Sequence, residues 1–111
     1  KIFAIFALMI GVPLQDASTV GALMGTKLVL NEMVAYVDLT HVSNLITPKS
    51  FMLASFALCS FGNFGSIAIQ IGGIGELAPN QKKNLARLGL RALICGTLSC
   101  YLSAAIVGVL L

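Results

Sequence analysis

The sequence predicts an all-α membrane protein, and three observations support this fold class. Of the 111 residues, 58% are hydrophobic and only 10% are charged, and the mean hydropathy is +0.96. A soluble domain usually has about a quarter of its residues charged. Long uncharged stretches, broken internally by glycines and polar residues, complete the pattern. Disorder is excluded because it requires low hydrophobicity and high charge, and the net charge of +3 is too small and too localised to indicate nucleic acid as a partner.

The last transmembrane helix is predicted over residues 84–111. Its final twenty residues, ALICGTLSCYLSAAIVGVLL, contain no charge. At about 1.5 Å per residue they span roughly 30 Å, which is the hydrocarbon thickness of a bilayer. Residues 84–91 are expected to extend this helix as a basic segment.

A discontinuous transmembrane helix is predicted over residues 50–75, SFMLASFALCSFGNFGSIAIQIGGIG. The stretch is uncharged and long enough to cross a bilayer, but its middle contains two helix-weakening glycines, an amide and a hydroxyl. Backbone freed inside a membrane is tolerated only where protein or a water-filled cavity satisfies it. We therefore expect two half-helices, about 51–61 and 66–75, with a break between them.

A re-entrant helical hairpin is predicted over residues 13–38, after residues 1–12, which read as the end of another membrane helix in a chain that is a fragment. Pro13 would begin the hairpin and Asp16 would cap its first arm. The arms would be residues 17–24 and 28–37, with Gly25-Thr26-Lys27 as the turn near the bilayer midplane. One straight span is the alternative. The Gly21-x-x-x-Gly25 spacing predicts close helix packing.

The basic residues predict a topology. Residues 39–49 contain one lysine, whereas residues 76–91 contain four basic residues, Lys82, Lys83, Arg87 and Arg91. By the positive-inside rule, the loop 76–91 is cytoplasmic and the C-terminus extracytoplasmic. The hairpin would then enter from the outer side.

Polar residues at membrane depth are the candidate functional residues. Glu32 is costly in a bilayer, and such groups usually face a substrate or ion path; a structural ion pair with Lys27 is the alternative. Asn63 and Ser66 lie at the predicted break, where they either satisfy freed backbone groups or bind a polar ligand. Two interrupted segments in succession indicate the midplane site of a transporter. Lys27 is expected to pair with Glu32 or with a carbonyl end of a neighbouring half-helix.

Three stretches, GTKLVLNE, FGNFGSIAIQIGGIGELAP and LARLGLRALICGTL, resemble in this order the C-terminal part of the concentrative nucleoside transporters. The resemblance covers nearly the whole chain. It implies one half of an inverted-repeat transporter that works as a homotrimer in the plasma membrane and imports a nucleoside with sodium or a proton. The coupling cation would be bound mainly outside these residues, with no metal site and no cofactor here.

The resemblance also implies roles for four residues. Glu32 would bind the ribose hydroxyls from the hairpin, and Asn63 and Ser66 would bind ribose from the broken helix. Phe61 would form an apolar wall beside the nucleoside. Gly65 stands where some family members have serine, which leaves the base preference open.

Two functions of other classes remain as alternatives. A channel or membrane assembly subunit would use the same polar residues to line a pore or to join helices. An intramembrane enzyme would need a second catalytic group beside Glu32, and the sequence offers no histidine or aspartate at membrane depth. We therefore expect no catalytic residues, and nucleoside and membrane lipid as partners.

Overall fold

The computed structural model describes residues 2–60 and 62–111, and within them every regular element is a helix. The six α-helices in chain order are α1 (Ile2–Met9), α2 (Leu14–Val29), α3 (Glu32–His41), α4 (Pro48–Ala57), α5 (Phe64–Leu77) and α6 (Lys82–Leu110). A 3₁₀ turn, Pro79–Gln81, leads into α6. The predicted all-α class is confirmed.

A sharp turn joins the first two helices. The chain bends by 118° between α1 and α2. Gly11 in this turn has φ +103°, a backbone conformation that is accessible to glycine and strained for other residues. Pro13 follows and precedes the first residue of α2, as predicted for the start of the hairpin. The short α1 therefore lies against the side of α2.

Two glycines of α2 allow α1 to approach closely. A Cβ atom at Gly21 would lie only 2.6 Å from the backbone nitrogen of Ala4. A Cβ atom at Gly25 would lie 3.3 Å from the ring of Phe3. The packing role predicted for this glycine pair is confirmed, and Gly21 is the tighter of the two contacts.

The predicted turn at Gly25-Thr26-Lys27 is wrong. Helix α2 continues through this triplet, and the Thr26 hydroxyl donates to the carbonyl of Ala22, one turn earlier, at 3.0 Å. A single glycine weakens a helix by only about 1 kcal/mol, and here the missing side chain provides room for α1. The helix instead ends at Leu30 (φ −97°, ψ −89°), and the chain turns at residues 30–31.

The hairpin is therefore longer on one side than predicted. Helix α2 has 16 residues and α3 has 10, so at about 1.5 Å per residue the arms measure roughly 24 and 15 Å. Asn31 begins the second arm in extended conformation and caps it. The second arm ends at His41, inside what the sequence indicated as a loop.

Asp16 does not cap α2, contrary to the prediction. Its carboxylate instead accepts hydrogen bonds from the Thr47 backbone N–H (3.2 Å), the Thr47 hydroxyl (3.1 Å) and the Ser50 hydroxyl (2.6 Å). Thr47 is the N-cap of α4, and its hydroxyl accepts from the backbone N–H of Ser50. Asp16 is 4% exposed and Ser50 is fully buried. The carboxylate thus joins the base of the hairpin to the start of α4.

The predicted break between two half-helices is present, and it is longer than the predicted interval between residues 61 and 66. Helix α4 ends at Ala57 and α5 begins at Phe64, two residues before the predicted start. Leu58 is the C-cap of α4 and Asn63 the N-cap of α5. Phe61 lies in this break, outside the described residues.

The last helix begins two residues earlier than the predicted residue 84 and includes most of the predicted basic loop. Lys82 is its first residue, so the four basic residues of the predicted loop 76–91 lie on α6. Residues Pro79–Leu110 are long and apolar enough to cross a membrane, and α1 with α2 would provide a second crossing if the bent pair forms one span. Many large apolar side chains of α6 are exposed, including Val109 (87%) and Leu102 (63%).

The core is centred on α2 and α4, and α1, α3 and α6 also contribute buried residues to it. Val20 and Met24 of α2 and Leu53 of α4 are fully buried, as is Leu58 at the end of α4. Tyr101 of α6 packs its ring against Phe6, with ring centroids 5.6 Å apart. The hairpin and the first half of the broken helix therefore share one hydrophobic core.

Gly21→Ala is expected to destabilise the full-length protein because the new methyl group would overlap the backbone of α1. Overpacking of this kind costs about 1–3 kcal/mol. Thermal unfolding of the purified protein in detergent measures the effect. Gly25→Ala, which meets only the edge of a movable ring, is the control and should lower the midpoint less. Equal midpoints for both variants would contradict the close approach at Gly21.

Asp16→Ala is expected to lower the unfolding midpoint by several degrees. The substitution leaves the Thr47 N–H and two hydroxyls without their common acceptor at a buried position. Asp38→Ala is the matched control, because Asp38 makes no side-chain hydrogen bond within the described residues. If the two variants melt together, Asp16 does not hold the hairpin to α4.

Candidate functional site

Helices α3 and α5 are each capped by an asparagine. The Asn31 side-chain oxygen accepts from the backbone N–H of Val34 at 2.9 Å. The Asn63 side-chain oxygen accepts from the backbone N–H of Ser66 at 2.8 Å. Asparagine is among the best N-cap residues because its side chain satisfies an otherwise unpaired backbone N–H. An asparagine N-cap thus begins both the second arm of the hairpin and the second half of the broken helix.

The two capped helix starts meet through Glu32 and Asn63. The Asn63 side-chain nitrogen donates to the Glu32 carboxylate at 3.4 Å. Asn63 is 3% exposed, whereas Glu32 is half-buried. Glu32 is the first residue of α3, where the helix dipole stabilises a negative charge. The structure therefore brings together two residues that are 31 positions apart in the sequence.

Ser66 lies beside this pair in the first turn of α5. A cavity of about 320 Å³ between α5 and α6 is mainly apolar. Apolar side chains of α6 and two isoleucines of α5, Ile67 and Ile71, line it, and its polar groups come from Asn63, Ser66 and Gln70. Glu32 borders a separate opening, next to Tyr36 and Thr40. Asn63 lines the first cavity and connects it to the second opening through its hydrogen bond to Glu32.

Gln70 belongs to this lining and was missed from the sequence. It is exposed and lies one turn beyond Ser66 on the same face of α5. The spacing of residues 63, 66 and 70 is a helical repeat of polar side chains within an otherwise apolar segment. This periodicity was available in the sequence and would have identified the residue.

Lys27 forms its hydrogen bond with Ser60, in the break of the discontinuous helix, and not with Glu32. Its ammonium donates to the Ser60 hydroxyl at 2.6 Å, and its side chain is 1% exposed. Within the described residues no ion pair joins Lys27 to Glu32, so the alternative of a structural ion pair for Glu32 is not supported. The predicted contact with a neighbouring half-helix is close to what occurs, with a hydroxyl in place of a carbonyl.

Side chains from two other helices fix the end of α4. The Tyr36 hydroxyl of α3 donates to the Ser55 carbonyl at 2.8 Å. The Cys100 thiol of α6 lies 3.2 Å from the Phe56 carbonyl and 3.4 Å from the Ala57 carbonyl. These carbonyls belong to the last turn of α4, where regular intrahelical partners run out, and the Phe56 carbonyl also accepts from the Cys59 backbone N–H at 3.3 Å. The break is therefore held by defined contacts on several sides.

The arrangement suits a neutral ligand with hydroxyl groups. A carboxylate accepts hydrogen bonds, a hydroxyl both donates and accepts, and an amide supplies both functions. Of the four residues expected in the site, Asn63 contacts both Glu32 and Ser66. The fourth, Phe61, is outside the described residues.

Comparison with known proteins identifies the chain's relatives. Residues 1–108 match the family model described as "Na+ dependent nucleoside transporter C-terminus". The "Uncharacterized transporter YutK" of Bacillus subtilis (strain 168) is 48% identical over 107 residues, which cover 96% of this chain and 26% of that protein. "Solute carrier family 28 member 3" of Homo sapiens is 39% identical over 124 residues, covering 98% of this chain and 18% of that protein.

A solved structure, "Structure of CNTnw in an inward-facing substrate-bound state", matches with a TM-score of 0.90 at 40% identity, over 96% of this chain and 27% of that chain. The chain thus spans about a quarter or less of the length of these relatives. The resemblance stated from the sequence is confirmed. Because the family model matches all but the last three residues, the chain belongs to the family of Na+ dependent nucleoside transporters, in their C-terminal part.

Proposed function

We propose that this chain forms the ribose-binding side of a cation-coupled nucleoside importer. The contact between Glu32 and Asn63 is the observation that carries the proposal, because it joins a carboxylate and an amide at the start of two helices. The names of the relatives support the substrate class, among them the "Nucleoside permease NupC" of Helicobacter pylori, 39% identical over 107 residues. These relatives are named as transporters and permeases, and the proposal includes no enzymatic reaction.

The chemistry of ribose fits these residues. Ribose presents neighbouring hydroxyl groups, which donate well to a carboxylate such as Glu32. A hydrogen bond to a charged acceptor is roughly twice as strong as one between neutral groups. Ser66 adds a hydroxyl on the side of α5, and the two helix starts add oriented dipoles. Phe61 is proposed as the apolar wall beside the nucleoside.

The rest of the proposal concerns the whole transporter. The coupling cation, sodium or a proton, would be bound mainly outside this chain. The protein would work as a homotrimer in the plasma membrane, surrounded by lipid. Residues 76–91, now seen as the end of α5, a 3₁₀ turn and the basic start of α6, would face the cytoplasm. The hairpin would enter the bilayer from the outer side, and the C-terminus would be extracytoplasmic.

Glu32→Gln in the full-length protein is expected to lower the ratio of maximal uridine uptake to KM by about 10–100-fold, since a hydrogen bond to a charged group contributes about 1.5–3 kcal/mol. Uptake of radiolabelled uridine into proteoliposomes measures this. Glu76→Gln is the control, because Glu76 is exposed and pairs with Lys82 on the surface.

The loss should be selective for ribose hydroxyls. The native protein is expected to prefer uridine over its deoxy analogues, because a site built for a hydroxyl leaves its own groups unpaired when that hydroxyl is missing. Glu32→Gln should reduce this preference. Unchanged uptake and preference at normal expression would refute the role of Glu32. Ion conductance without saturable, nucleoside-inhibited uptake would favour the channel alternative.

The two asparagine caps provide a second test. Serine is about as good an N-cap as asparagine, so Asn63→Ser should keep α5 intact while removing the amide that meets Glu32. We expect weaker uridine uptake and a nearly unchanged unfolding midpoint. Asn31→Ser makes the same exchange at α3. Within the described residues the Asn31 side chain bonds to Val34 of its own helix and not to the broken helix, so this variant should take up uridine at a near-native rate. Equal uptake by both variants would show that the Asn63 amide has no part in the site.

A further inference from the structure

The buried ammonium of Lys27 is the strongest feature that the proposed ribose site does not use. Lys27 is the largest fully buried side chain in the described part of the molecule. Removing an ammonium group from water is costly unless other groups compensate for the lost hydration. A lysine kept at such a position therefore needs strong local partners.

Groups from four directions face Lys27. Ser60, in the break, accepts its hydrogen bond at 2.6 Å. Glu32 on α3 and Cys100 on α6 lie near enough to interact with it electrostatically. The end of α4 lies next to Ser60, and a helix C-terminus carries about half a negative charge. The ammonium thus lies where the hairpin, the broken helix and the last helix meet, with a hydroxyl and a carboxylate among its neighbours.

Two hydrogen bonds connect the same two segments of chain. Lys27 bonds to Ser60, and Glu32 bonds to Asn63. The first residues of each pair are five positions apart, and the second residues are three apart. The first contact is 2.6 Å long and the second 3.4 Å, and each joins a buried residue to a half-buried one. The Lys27–Ser60 contact is therefore the stronger of the two connections between hairpin and break.

We propose that Lys27 is a positioning residue, which holds the turn of the hairpin against the break so that Glu32 and Asn63 stay aligned for the ligand. This inference rests on the proposed ribose site. Without the ammonium, the Ser60 hydroxyl loses its partner and the Glu32 carboxylate loses a nearby positive charge. The hairpin turn can then shift relative to α5, and a site loosened by about 1 Å loses much of its affinity.

The test is uridine binding to the full-length protein, measured by calorimetry in detergent, for Lys27→Met, Lys27→Arg and Ser60→Ala. Lys27→Met should weaken binding about tenfold or more, since it removes a hydrogen bond to a charged group. Lys27→Arg keeps a charged donor and should restore part of the affinity. Ser60→Ala should weaken binding less than Lys27→Met. Lys82→Met, on the surface, is the control and should bind uridine like the native protein.

A double substitution separates positioning from general stability. If Lys27 acts through the Glu32–Asn63 pair, adding Lys27→Met to Glu32→Gln should weaken binding much less than it does in the native background. Fully additive losses would overturn the inference. Native-like uridine binding by Lys27→Met would overturn it as well. If Glu32→Gln still weakened uridine binding in that case, the proposed ribose site would remain supported. Failure of the native protein to bind uridine would refute the proposed function itself.

Folding is checked in parallel by thermal unfolding. If Lys27→Met does not fold, Ser60→Ala and Lys27→Arg test the positioning role instead. Ser60→Ala that melts like the native protein and binds uridine more weakly would support positioning by Lys27. Ser60→Ala and Lys27→Arg that both bind uridine at native affinity would overturn it.

Discussion

Freed backbone groups at the helix breaks are the constraint on which the rest of this structure depends. In apolar surroundings an unpaired N–H or C=O group costs several kcal/mol, and no water is present to compensate. Asn31 and Asn63 satisfy the helix starts, and Tyr36 and Cys100 satisfy carbonyls near the end of α4. Each of these partners comes from a defined position, so the breaks are stabilised by specific contacts.

A site built on such breaks is organised before any ligand arrives. Asn63 uses its side-chain oxygen to cap α5 and its nitrogen to meet Glu32. The same side chain thus serves the fold and the candidate site, and its orientation is fixed by the cap. Binding groups that are already held in place lose little freedom when a ligand is bound. The cost of breaking two helices in an apolar segment is offset by contacts that also orient the polar side chains.

The fold class and most helices could be predicted from the sequence, since they depend on long apolar stretches and on interruptions within them. The turn of the hairpin could not be placed correctly. Gly25 looked like a turn residue, but its missing side chain serves the contact with Phe3. The true turn is marked by Asn31, an N-cap signal directly before Glu32. Long-range pairs such as Lys27–Ser60 depend on how helices pack, which local sequence patterns do not show.

The hairpin is tied to the broken helix at both of its ends. At its base, the Asp16 carboxylate bonds to Thr47 and Ser50 at the start of α4. At its turn, Lys27 bonds to Ser60 beyond the end of α4. Sliding the hairpin along α4 would leave a carboxylate and an ammonium unpaired at buried positions, and each loss is costly. The two ties therefore fix the position of α2 along α4, and this position keeps Glu32 within reach of Asn63.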